Sequence, residues 1–216
     1  MPRDSAITRD KLIRSAEHLF ARHGFDVPIR DIQDGAGQRN ATALQYHFGG
    51  KRELIMAILD KHALSDEQLE LLRVELDANR DEPRALVEAI VRNLTDRLAT
   101  EDGRDYMRMS FQLLTQTPVR QSIVEAREHP QMVSVEAERA LIRASVPGLS
   151  ERLVRERAVA GITFIMLLMA DRARMMDEPD VEILGEADFV ANTVDMATAA
   201  LTAPTSMASS GRAAAR

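Results

Sequence analysis

Apolar residues recur at helical spacing along nearly the whole chain. In the first segment Leu12, Ala16, Leu19 and Phe20 follow the i, i+4, i+7, i+8 pattern of one buried face. That pattern predicts a helix from about Thr8 to His23, with Thr8 as N-cap, Asp10 in the first turn and Gly24 just past the end. Pro28 opens a second, short helix to Gly35, with Ile29, Ile32 and Ala36 facing inward. After Gly37 a third short helix is predicted from about Asn40 to Phe48. Ala41, Leu44 and Phe48 are its core positions, and Gly49-Gly50 breaks it. Lys51 starts a fourth, long helix that runs to roughly Ala78. Further helices are predicted near 83–99, 104–116, 119–146 with a break at Pro130, 149–176 and 187–202. No segment alternates at strand period and no internal repeat is visible, so the expected fold class is all-α.

The last two helices carry more apolar surface than one side of a small domain can cover. Ala187, Val190, Val194, Ala197 and Leu201 are spaced 3, 4, 3, 4, the spacing of a helix–helix seam. In the preceding helix Val154, Ala158, Gly161, Ile165 and Leu168 form one stripe, and Ile162, Met166 and Met169 form a second beside it. One stripe is expected to pack on the chain's own body and the other on a second subunit, giving a four-helix bundle. The expected interface comprises Gly161, Ile165, Leu168, Val190, Val194, Ala197 and Leu201, with the small Gly161 and Ala197 allowing close approach. Burial of both stripes within a monomer is the alternative.

Composition supports the helical reading. The chain has 216 residues, 45% of them hydrophobic and only 4% aromatic, with ten Gly and eight Pro. Good helix formers dominate and turn punctuation is sparse, which argues against a many-stranded sandwich or barrel. There is no cysteine, so disulfides, thiolate zinc sites and cysteine nucleophiles are excluded. The N-terminal stretch lacks the apolar core of a secretory signal. The longest uncharged apolar run, Ala158 to Ala170, is too short for the roughly 20 residues of a membrane span. A cytoplasmic protein without a membrane partner is expected. The segment 203–216 is small and polar and reads as a disordered tail.

Charge is unevenly distributed. The net charge is −6, yet residues 1–52 hold nine Lys/Arg against six Asp/Glu, and residues 53–216 hold nineteen against twenty-eight. A small basic module joined to an acidic body permits nucleic-acid binding at the N-terminal end. Two short helices joined at Ala36-Gly37 and braced by a first helix have the helix-turn-helix layout. The face of the third helix opposite its core positions carries Arg39, Thr42, Ala43 and Tyr46, with Gln45 and His47 on its flanks and Asn40 at its start. Such groups suit base edges and phosphates in a major groove. An ordinary solvated helix face is the competing reading, because helix-turn-helix shapes also occur without DNA binding.

The stretch TRDKLIRSAEHLFARHGFD…IRDIQDGAGQRNATALQYHFGGKRELIMAIL resembles the N-terminal domain of the TetR family of bacterial transcriptional repressors. The resemblance is carried by Thr8, Leu19-Phe20, Gly24-Phe25, Ile32, Ala36-Gly37, Leu44, Tyr46-His47-Phe48, Lys51 and Glu53-Leu54. It covers about residues 8–60. Two departures exist: the segment Gly24 to Ile32 is one residue shorter than the family's commonest pattern, and Gly37 to Phe48 is one residue longer, through Gln38-Arg39-Asn40. Tyr46 and Lys51 align from the Phe48 side and are expected to touch phosphates.

The resemblance implies a DNA-binding domain at 1–50 and a helical regulatory and dimerisation domain at 51–202. It implies a homodimer that places two third helices in successive major grooves of a palindromic operator. A small-molecule ligand entering the C-terminal domain would release the DNA. Met107, Phe111 and Leu114 form an apolar stripe at i, i+4, i+7, read first as core and, by the resemblance, as candidate ligand contacts. No cofactor or metal is expected: His18 and His23 are five apart and do not share a helix face. Arg104, Asp105 and Arg108 read as surface salt bridges. No P-loop, dinucleotide fingerprint or G-x-S-x-G occurs, so no catalytic residues are expected. A small helical enzyme and a protein-only helical adaptor are the alternatives, and salt-dependent DNA binding separates both from a repressor.

Overall fold

A computed structural model describes residues 2–38, 40, 42–116, 132–144 and 146–206. In chain order its α-helices are α1 Pro2–His23, α2 Ile29–Gly35, α3 Ala43–Phe48, α4 Lys51–Lys61, α5 Asp66–Ala78, α6 Pro83–Thr95, α7 Glu101–Thr115, α8 Val133–Arg143, α9 Glu151–Met176 and α10 Glu186–Thr202. A single 3₁₀ turn, Asp96–Ala99, continues α6. Among the described residues there is no strand and no helix long and apolar enough to cross a membrane. The expected break at Pro130 and the greater part of the expected tail, residues 207–216, lie outside the described residues.

Local chemistry sets most of the boundaries. Thr100 starts α7 by accepting the Gly103 N–H at 3.1 Å, and Ser150 starts α9 by accepting the Leu153 N–H at 3.3 Å. The expected single helix 51–78 is instead two. Ser65 accepts the Gln68 N–H, and the Gln68 side chain accepts the Ser65 N–H. This capping box begins a new helix at Asp66 and interrupts the old one after Lys61. At the other end, α1 starts at Pro2 rather than Thr8, a first-turn position that suits proline.

Helices α1, α2 and α3 close around Leu12, Ala16, Phe20, Ile32, Leu44 and Phe48, all buried. The Phe20 and Phe25 rings lie 5.3 Å apart in this core. Ile29, expected to face inward, is exposed. Helix α1 also packs on α4 and α7, which mounts the small domain on the rest. In that larger body α9 packs on α7, α8 and α10, and α6 packs on α8 and α10.

A candidate nucleic-acid interface and its joint to the helical body

The turn between α2 and α3 is built on main-chain hydrogen bonds. Gly37 has φ 66°, a left-handed conformation that favours glycine. Its N–H donates to the Asp34 carbonyl at 2.9 Å, and the Gln38 N–H donates to the Gln33 carbonyl at 2.8 Å. Asn40 then braces the approach to α3, its Oδ1 accepting from the Thr42 N–H at 3.0 Å and the Thr42 hydroxyl at 2.7 Å. Gly49, with φ 79°, ends α3, and its N–H donates to the Gln45 carbonyl at 2.9 Å.

Leu44 and Phe48 anchor α3 in the core, so Thr42, Gln45 and Tyr46 face outward. Tyr46 is 81% exposed, an unusual position for an aromatic ring. His47 is half-buried, its ring set edge-on to Tyr46 at 5.1 Å. Ala43 corrects the sequence reading, since it is 6% exposed and belongs to the core side. The helix begins at Ala43 rather than Asn40, and at 100° per residue position 43 sits beside Leu44 at the inner edge. Arg39 and Ala41 lie outside the described residues.

Lys51 has a structural task as well as an expected DNA contact. Its ammonium donates to the carbonyls of Phe25 and Val27, both at 2.7 Å, closing the α1–α2 connection. One of its three N–H bonds is left over. Sequence reasoning missed Arg9, whose guanidinium lies 5.2 Å from the Phe48 ring centre. It also missed Arg30, an exposed cation of α2 that is 3.6 Å from Asp34. Helical spacing would have placed both outside the core.

The joint between the small domain and the body carries two ionic clusters beside the Gln112 amide, which donates to the Phe20 and Ala21 carbonyls, both at 3.1 Å. Glu17 of α1 is buried, and its carboxylate accepts from Lys61 at 2.6 Å and contacts His62, both at the end of α4. The His62 ring stacks on buried Tyr106 of α7 at 4.2 Å. Lys61 also reaches Asp102 at 2.8 Å, and this hydrogen bond holds the Asp102 carboxyl below its usual range. Burial pushes the Tyr106 phenol up. A second cluster surrounds Arg22, whose guanidinium lies 2.7 Å from Asp105 Oδ1, 2.7 Å from His18 Nδ1 and 3.4 Å from Asp177. Arg108 donates to Asp105 at 2.7 Å, to Asp177 at 2.6 Å and to the Ala173 carbonyl. Burial alone would raise the Asp177 carboxyl, but hydrogen bonds from Arg108 and Arg104 outweigh it and the net shift is downward.

Arg104, Asp105 and Arg108 are therefore not surface salt bridges, because Asp105 and Arg108 are buried beneath α1. The difference arises because α1 docks on α7, a contact that residue spacing within α7 does not report. His18, Glu101 and Asp105 could offer ligand atoms within 4.8 Å of one another. Arg22 already bonds two of the three and lies 3.9 Å from Glu101, so a cation is present there as a side chain.

Phe111 lines a cleft of about 450 Å³ beside this joint, together with Ala21, Leu167 and Ala170 and the charged Arg22, Arg108 and Asp177. Met107 does not reach that cleft and is buried in the core, while Leu114 is half-buried against it. The expected apolar ligand stripe thus splits: Phe111 meets solvent-accessible space and Met107 does not. The expected dimer stripe is also corrected. Ile165, Val194, Ala197 and Leu201 are buried within the chain itself, because α10 lies across α6 and α9 and uses this seam intramolecularly. Gly161 is buried too, and no described atom of the chain lies within 4 Å of where a Cβ would stand, so no helix of the chain itself makes a close approach there. Leu168 and Val190 remain partly exposed, and Leu167 is 44% exposed.

Comparison with known proteins agrees with this layout. Residues 12–58 match the family model of bacterial regulatory proteins, tetR family. No curated protein matches the chain. The chain is similar in fold to NalD, the secondary repressor of the MexAB-OprM multidrug efflux pump in Pseudomonas aeruginosa, with TM-score 0.61 and 21% identity over 93% of this chain and 98% of that one. A second structure, of native NalD, gives TM-score 0.60 and 21% identity over 92% and 98%. Residues 12–58 thus carry the helix-turn-helix domain of bacterial regulatory proteins of the tetR family, and the chain as a whole has the fold of NalD.

Proposed function

We propose that the protein is a ligand-responsive transcriptional repressor that binds a palindromic operator as a homodimer. The observation that carries this is the outward face of α3, where Thr42, Gln45 and a bare Tyr46 stand on a helix pinned from below by Leu44 and Phe48. Thr42 and Gln45 read base edges, and Tyr46, His47 and the free N–H of Lys51 contact phosphates. Its work is binding rather than catalysis, and it acts on chromosomal DNA in the cytoplasm. NalD, which shares the fold, is a repressor of an efflux pump.

In the dimer, half-sites lie one helical turn apart, about 34–36 Å. The partner packs on the apolar surface that α9 and α10 leave outside: Leu167, Leu168 and Val190. The inducer is a small, partly apolar molecule that enters the body near Phe111 and favours a dimer geometry that no longer spans two grooves. Selection of bound fragments from random DNA tests the reading. Enrichment of a palindrome is expected, with Tyr46→Ala weakening all sequences and Gln45→Ala changing the preferred bases. Failure to enrich any motif at low salt overturns it.

A further inference from the structure

Gln33 is a polar residue in an apolar place. It lies on α2, is 5% exposed, and sits directly beneath the turn that leads to α3. Its main-chain carbonyl accepts the Gln38 N–H at 2.8 Å, and its side-chain Nε2 donates to the Asn40 carbonyl at 3.3 Å. Gln33 is therefore bonded to both Gln38 and Asn40, the described residues on either side of the connection to α3.

The constraint is passed on through Asn40. The Asn40 carbonyl also accepts the Ala43 N–H at 3.0 Å, and its Oδ1 takes both donors of Thr42. The main-chain N–H of Thr42 can only donate, which identifies the Asn40 atom facing it as oxygen. That oxygen cannot donate back, so the Thr42 hydroxyl proton is committed to Asn40. Helix α3 has six residues, too few to hold its own direction without this brace.

We propose that Gln33 is a specificity-determining positioning residue, fixing from beneath where α3 begins and how Thr42 is presented to a base pair. Thr42, its proton spent, faces the major groove as an acceptor and selects an amino donor, the N4 of cytosine or the N6 of adenine. The assignment rests on the DNA-binding reading given above.

The test uses the full chain with Gln33→Met, which keeps the length and volume of the side chain and removes the donor, and Gln33→Ala as a second variant. Amide exchange at Thr42 and Ala43 is read first, without DNA, and should quicken about fivefold or more while exchange in α1 stays unchanged. Binding is then read on the selected site, on that site with the base pair opposite Thr42 changed, and on random-sequence DNA. Discrimination between the first two should fall about fivefold, with affinity for random DNA unaltered. Unchanged exchange at Thr42 and Ala43 overturns the proposal, as does an equal loss on all three DNAs. If the parent itself binds no DNA, the operator reading has failed and the exchange result still decides the role of Gln33 in setting α3.

Discussion

Arg22, in the last turn of α1, lies 2.7 Å from Asp105 of α7, and this contact crosses from the helix-turn-helix domain to the helical body. Asp105 is buried and is also held by Arg108, which in turn reaches Asp177 just beyond α9. A displacement between α7 and α9 is thereby felt at the end of the helix that carries the helix-turn-helix. The Glu17 cluster makes a second such tie through α4. Charged joints of this kind have narrow geometric tolerance, which suits the proposed homodimer, in which the orientation of this domain would set the spacing of two recognition helices.

Arg22→Gln is expected to loosen this joint without unfolding either side, since Asp105 keeps Arg108 and His18. Affinity for the palindromic site should fall roughly five- to a hundredfold, the usual range for a coupling between sites. Fluorescence anisotropy on the operator and on random DNA measures it. An equal loss on both would place Arg22 on a phosphate instead.

Leu167→Glu should yield a folded monomer at micromolar concentration, seen as halved mass in light scattering with the helical signal retained. Val194→Glu should instead destabilise the chain itself, because Val194 is 2% exposed and its seam against α6 and α9 would have to take in a carboxylate. A dimeric Leu167→Glu protein would move the subunit contact elsewhere.

Gly103→Ala is expected to destabilise the body by about 3 kcal/mol. A Cβ at this position would stand 1.8 Å from the Arg97 carbonyl oxygen and 3.0 Å from Thr100 Oγ1, the atom that caps α7. Thermal unfolding reads the effect, and a melting temperature within about a degree of the parent's would refute it.

Acid should weaken the protein at identifiable carboxylates. Burial raises Glu136, but hydrogen bonds from Arg73 and Arg139 carry it below its usual range, and Asp102 and Asp177 are lowered as well. Groups whose folded-state values are depressed contribute stability above the ordinary carboxylate range, about pH 4, and lose it as pH falls through the lowered values. The urea midpoint should therefore hold steady from neutrality to about pH 5 and drop below about pH 4. The drop should be shallower in Asp177→Asn. A midpoint that climbs in acid would contradict these pairings.

Helical spacing alone determined the all-α class, the three-helix head and the inward residues Leu12, Phe20, Ile32, Leu44 and Phe48, because each of these depends on a period of 3.6 and a nearby Gly or Pro. The outward set Thr42, Gln45 and Tyr46 followed from the same wheel. The split at Ser65 was decided by a side-chain cap, which a continuous apolar period conceals. The seam Val194, Ala197 and Leu201 was legible as apolar, yet only the packing of α10 on α6 and α9 decided that it closes within one chain. The ionic joint was invisible for the same reason. Arg22 and Asp105 are 83 residues apart, and a charge gives no periodic sign of the partner that folding brings to it. What a residue's own helix requires is written locally; which face meets which is a property of the assembled layers.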